Sequence, residues 1–142
     1  MSLPQIIQGG KFSDKRGAIS FVNDFDMSLV KRFYYITPKD TSIIRAWQGH
    51  QKESKWFHVT AGKFQVKLVA VDDWEKPSKN LPFVEFTLSA NDSQILHIPG
   101  GFANGFRALE ENSSLLVFSD IGMDKAGDDD FRFPADYWFK WQ

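Results

Sequence analysis

The sequence predicts an all-β fold, a sandwich or barrel, and three observations carry that expectation. Short runs rich in aromatic and β-branched residues recur at close, fairly regular spacing. Clusters of Asp, Asn, Gly and Pro separate the runs. No amphipathic helical period of any length appears. The 142 residues suit one domain with one core, so residues 1–142 are read as a single unit.

The runs follow in order. Asp14-Lys15-Arg16-Gly17 is a turn-like opening to the run at 18–23. Residues 32–37 are aromatic and β-branched and stop at Pro38, which has no N–H for a ladder. The runs at 43–50 and 55–60 come next. Ala61-Gly62-Lys63 then makes a hairpin turn into 64–71, where Phe64, Val66 and Leu68 alternate with Gln65 and Lys67. Runs at 83–88, 93–98 and 114–120 complete the set. Between them, Pro99-Gly100-Gly101 reads as a sharp turn, with Phe102 and Phe106 as packing residues. The tail, 128–142, mixes acids with Phe131, Phe133, Tyr137, Trp138, Phe139 and Trp141. It is too aromatic for a disordered tail and is expected to pack on the barrel or on a partner subunit.

Composition narrows the chemistry. The net charge of -1 argues against bulk binding to nucleic acid or an anionic membrane. With no Cys, there are no disulfides, Cys-based zinc sites or thiol nucleophiles. His50, His58 and His97 show no ligand spacing, so neither metal nor other cofactor is expected. No Ser-His-Asp signature or phosphate loop is present. No apolar run nears the roughly 20 residues of a membrane span, and residues 1–11 lack a signal-peptide pattern, so a cytoplasmic protein is expected.

The polar residues on the runs are the candidates. If 45–50 is a strand, Ala46, Gln48 and His50 share one face, and Arg45, Trp47 and Gly49 the other. Gln48 and His50 either project into an apolar cavity or end a solvated surface strand. Lys55 shares parity with Phe57 and Val59. It points inward if that face is the core, or else is a solvated edge residue.

Two related families enter on named stretches. Gly62-Lys63-Phe64-Gln65-Val66, Leu88-Ser89-Ala90-Asn91, residues 98–106 and residues 131–141 resemble dTDP-4-dehydrorhamnose 3,5-epimerase. Asp14-Lys15-Arg16-Gly17, shared by both families, then Lys31-Arg32-Phe33-Tyr34-Tyr35-Ile36 and residues 45–50 resemble the dTDP-sugar 3,4-ketoisomerases. The resemblance implies a cupin, a double-stranded β-helix of jelly-roll type, assembled as a homodimer that pairs or exchanges strands. It implies an isomerase acting on a dTDP-linked 4-keto-6-deoxy sugar by metal-free proton transfer. Residue by residue, it implies that Arg16 and Arg45 bind the nucleotide-sugar, that Lys55 is an active-site Lys, and that Tyr35, or its neighbour Tyr34, is an active-site Tyr. His50 matches the second His of the ketoisomerases and is the expected base. Gln48 stands where the epimerases have their base, and a carboxamide cannot act as one. Asn104 stands at a second pocket His, and the epimerase proton donor falls near Val117 or Phe118. These departures give an alternative: a catalytically impaired cupin that binds a sugar nucleotide or another small molecule.

Overall fold

The computed structural model describes residues 2–142. Twelve strands run in chain order: β1 (Gln5–Gln8), β2 (Gly10–Asp14), β3 (Gly17–Phe21), β4 (Arg32–Ile36), β5 (Ile44–His50), β6 (Lys55–Ala61), β7 (Lys63–Ala70), β8 (Phe83–Ser89), β9 (Gln94–Ile98), β10 (Phe102–Ala108), β11 (Ser114–Ser119) and β12 (Phe131–Arg132). Among the described residues, no helix is long and apolar enough to cross a membrane.

Two five-stranded sheets form the body, in the orders β1-β9-β6-β11-β4 and β12-β5-β10-β7-β8, and β2 pairs with β3 in a separate hairpin. Every ladder is antiparallel. The apolar alternation seen in the sequence is the inward face. Phe64, Val66 and Leu68 of β7 meet Phe57 and Val59 of β6, and Leu115 and Val117 of β11, in one core. The hairpin turn requires Gly62, because its φ is +74° and a Cβ there would lie 1.9 Å from Ser113 Oγ.

The all-β expectation holds, with one correction. Residues 102–108 form a central strand rather than the continuation of a turn. β10 lies between β5 and β7, and all but Arg107 of its residues are buried. Its Gly105 and Asn104 are poor strand formers, which hid it from a propensity reading. A position covered on both faces shows no alternation either.

The C-terminal segment packs on the outer face of the second sheet. Trp138 meets Trp47 edge to face at 5.3 Å between centroids. Trp47 Nε1 donates to the Ala135 carbonyl at 3.0 Å, and Trp138 Nε1 to Ser78 O at 2.8 Å. Lys67 is buried there, paired with Glu85, its ammonium 4.0 Å and 3.9 Å from the Phe83 and Phe139 ring centres. Replacing Trp138 by Ala removes a large buried ring and its three edge contacts, with Trp47, Phe133 and Tyr137. It is expected to lower unfolding stability by about 3 kcal/mol, read as an earlier midpoint in urea at unchanged slope.

Candidate active site

A cavity of about 720 Å³ opens at the barrel end bounded by β4, β5, β6 and β10. Phe57, Phe106 and Val117 give it apolar walls. Of the residues singled out in the sequence, Tyr34, Tyr35, Arg45, Gln48, Lys55 and Asn104 line it. Arg16 and His50 do not.

Strand β5 departs from strict alternation. Arg45 pairs with Phe106, Ala46 with Gly105 and Gln48 with Asn104, leaving Trp47 as the extra residue of a bulge. The expected opposition of Arg45 to Gln48 is therefore corrected: both reach the cavity, and Trp47 turns to the C-terminal segment.

Lys55 is the electrostatic centre. It is 3% exposed, and among the described residues no carboxylate lies within ion-pair distance of it. Its Nζ donates to Tyr34 Oη at 3.0 Å and to Gln48 Oε1 at 3.3 Å. Both acceptors are formally neutral, so the ammonium is hydrogen-bonded but not charge-compensated. A third N–H remains for an anionic ligand atom.

The adjacent tyrosines separate by strand alternation. Tyr34 faces inward to Lys55. Tyr35, although it contributes to the cavity lining, is 67% exposed. The inward phenol is therefore that of Tyr34. In register, Tyr34 pairs with Val117, so a phenol stands one strand from a position where the resemblance leads one to look for a proton donor.

His50 is buried beside the cavity rather than in its wall. Its Nδ1 lies 2.7 Å from the Asp129 carbonyl and 3.4 Å from Glu53 Oε1, and its Nε2 makes no hydrogen bond. Burial, with the Lys55 charge second, holds the imidazole pKa below 6.5. The Asp129 hydrogen bond, Glu53 and the Asp129 charge oppose that shift. Arg16 lies on the β2–β3 turn, paired with Asp14 at 2.7 Å and 80% exposed. Within one chain it is not among the residues that line the cavity, and it lies instead in a shallow depression on the hairpin. Phe12 and Ile19, which flank it on the hairpin, are exposed.

Two residues that the sequence reading did not single out complete the site. Arg132 lines the cavity, and its Nε and Nη2 donate to Asp130 Oδ1 and Oδ2 at 2.8 Å and 3.2 Å. Asp130 Oδ1 also accepts from Gln48 Nε2 at 3.2 Å. The Arg132 hydrogen bond is the main cause that holds the Asp130 carboxyl below its ordinary range; burial, second in size, opposes it, and the Gln48 hydrogen bond adds a smaller lowering. The resemblance of 131–141 to a family ending was the available signal for Arg132. Among the described residues, no group of three His, Asp or Glu side chains is placed to hold a metal ion.

The buried histidines predict a stability profile. Burial depresses both His50 and His97 below 6.5. Between each folded-state pKa and 6.5 the unfolded chain binds more protons. Their contribution is therefore whole above about pH 6.5 and is lost as pH falls through the folded-state values. Urea midpoints between pH 8 and 5 are expected to fall below about pH 6.5, and His50→Gln is expected to flatten part of that fall.

Comparison with known proteins gives three results. Residues 5–133 match the family model described as dTDP-4-dehydrorhamnose 3,5-epimerase. A Haloferax volcanii protein, named "probable low-salt glycan biosynthesis epimerase Agl13", is 26% identical over 128 residues, covering 87% of this chain and 81% of its own. Among solved structures, a double mutant of a 3,4-ketoisomerase from Thermoanaerobacterium thermosaccharolyticum in complex with TDP is 26% identical. It has a TM-score of 0.68 and covers 95% of this chain and 91% of its own. A Bacillus anthracis dTDP-4-dehydrorhamnose 3,5-epimerase with TDP and PPi bound reaches a TM-score of 0.76 at 17% identity, covering 94% and 79%. That last likeness concerns the fold alone.

Proposed function

The chain belongs to the dTDP-4-dehydrorhamnose 3,5-epimerase family, a family of isomerases, and from that premise we propose that it isomerises a dTDP-linked 4-keto-6-deoxy sugar by proton transfer. The observation that carries this reading is Lys55, a buried ammonium without a carboxylate partner, facing a cavity of sugar size. Removing a proton from the carbon next to a keto group puts negative charge on the carbonyl oxygen. A preorganised cation in a dry site stabilises that charge where it develops. Arg45 and Arg132 supply positive charge at the cavity for the diphosphate. The Asp130 carboxylate holds Arg132 in place until an anion competes for it.

His50 takes the role of base. Its Nδ1–H donates to the Asp129 carbonyl, which can only accept, so the neutral ring carries its lone pair on Nε2. Tyr34, inward and held by Lys55, takes the role the resemblance gave to Tyr35 and relays the proton. With Gln48 and Asn104 in place of imidazoles, removal of a single carbon-bound proton, from C3, suits the site better than a double epimerisation; the proton is returned to C4 in a 3,4-ketoisomerisation, or to the opposite face of C3 in a single epimerisation.

A homodimer is part of the same proposal. Phe12 and Ile19 on the hairpin, and Phe33 and Tyr35 on β4, are 58–67% exposed and form apolar surface that a second copy would cover. Such a pairing also gives Arg16 a route to a partner's site. Light scattering at micromolar concentration is expected to give twice the chain mass.

A second reading, a binding protein without turnover, draws on one observation. His50 does not line the cavity, whereas Gln48 and Asn104 do. Proton NMR of dTDP-4-keto-6-deoxyglucose incubated with the protein, run beside calorimetry, separates the two. A new sugar signal supports the isomerase. Heat of binding with an unchanged sugar supports the binder, and neither signal removes both readings for this ligand.

A further inference from the structure

The acidic run Asp128-Asp129-Asp130 opens the C-terminal segment, and the structure divides it. Asp128 is exposed, and Asp130 binds Arg132 and Gln48. Asp129 is 8% exposed and faces away from solvent into the turn that follows β5. One carboxylate oxygen accepts from Gln51 N at 2.8 Å. The other accepts from Lys52 N at 2.8 Å and Glu53 N at 2.9 Å. Three successive backbone N–H groups thus converge on one buried carboxylate, an arrangement that fixes both the turn and the acid. From the same residue, the main-chain carbonyl accepts from His50 Nδ1 at 2.7 Å.

We infer that Asp129 is a positioning residue for His50: its carboxylate anchors residues 51–53 so that its own carbonyl selects the Nδ1–H form of the ring and leaves Nε2 as the free basic nitrogen. The inference rests on the reading of His50 as base. The charged groups facing the ring are Lys55 from β6, Glu53 and Asp129 at close range, and Asp130 on the same C-terminal segment. Glu53 is the competitor. It lies 3.4 Å from the same Nδ1 but is itself engaged, its other oxygen accepting from Ser119 Oγ at 2.6 Å and lying 3.5 Å from Arg32 Nη2. A carbonyl at 2.7 Å, with no proton to exchange, sets the tautomer more firmly than a carboxylate at 3.4 Å. The device needs both halves of Asp129. The carbonyl sits at the end of a short 3-10 turn (Ala126–Asp129), one residue before β12, and the carboxylate holds it against the turn after β5.

The test is 15N NMR of the full-length protein labelled at histidine, at pH 7.5, read for the wild type, Asp129→Ala and Asp129→Asn. In the wild type, His50 is expected as one neutral tautomer, protonated at Nδ1. In Asp129→Ala the ring is expected to become a mixture of tautomers. Exchange of the substrate C3 proton is expected to fall at least tenfold, with its acid limb displaced. Asp129→Asn keeps one acceptor oxygen and is expected to fall between the two. A wild-type His50 protonated at Nε2 overturns the inference, and that spectrum is informative even if Asp129→Ala does not fold. An Asp129→Ala spectrum and acid limb identical to wild type overturn it as well. If the wild type shows the expected tautomer but no exchange, the functional reading fails while the positioning of His50 by Asp129 stands.

Discussion

Lys55→Met is expected to lower the rate of C3 proton exchange by about 10²- to 10³-fold, the loss seen when one preorganised donor to a developing oxyanion is removed. The loss belongs in kcat more than in KM. The ground-state carbonyl carries little charge, whereas the enolate oxygen carries nearly a full one. Methionine keeps the length and apolar stem of the side chain. It also removes a buried ammonium whose two partners, Tyr34 and Gln48, are formally neutral. Stability is therefore expected to hold or rise, because a buried charge without a counter-ion is costly. An inactive but equally stable variant marks Lys55 as chemical. An inactive and unfolded one marks it as structural. Lys55→Arg is not a conservative control, since a planar guanidinium in that cavity displaces Tyr34 or Gln48.

His50→Asn carries the other large effect, an expected fall of about 10²- to 10⁴-fold, the usual contribution of a general base. Asparagine can still donate toward the Asp129 carbonyl but offers no lone pair of imidazole basicity. The pH profile gives the sharper reading. With the ring pKa held below 6.5 by burial, the wild-type rate is expected to be level through neutrality. It should fall only in acid, as the ring protonates. In His50→Asn that acid limb disappears from the residual rate. If the residual rate of the variant keeps the wild-type acid limb, another group is the base, and Tyr34 becomes the first to replace, by Phe.

Much of the fold was legible in the sequence because one-sided strands carry a two-residue period. The first half of β7 alternates in burial as it does in residue type, with Phe64 and Val66 buried between Lys63 and Gln65, and β11 alternates in burial along its length. β10 was not legible, because it is covered on both sides and interrupted by Asn104 and Gly105. The same physics limited the site. Reading β5 by parity separated Arg45 from Gln48, and one bulge at Trp47 returns them to the same cavity. A bulge depends on the neighbouring strands and leaves no local signal. Tyr34 and Tyr35 could not be told apart until the register of β4 against β11 was known. Asp129, Asp130 and Arg132 lie about eighty residues from the strand they serve, so only the fold brings them to Gln48 and His50. Lys55, in contrast, shares the parity of Phe57 and Val59, and its burial follows from that pattern.

The proposal stands on a proton leaving carbon next to a carbonyl that Lys55 holds. Following the C3–H resonance of dTDP-4-keto-6-deoxyglucose in D2O with the wild-type protein tests this most directly. The expected result is loss of that signal at a rate proportional to protein concentration and reduced at least a hundredfold by Lys55→Met. A C3–H signal that persists while calorimetry shows the sugar nucleotide bound contradicts the proposal and leaves a binding protein in its place.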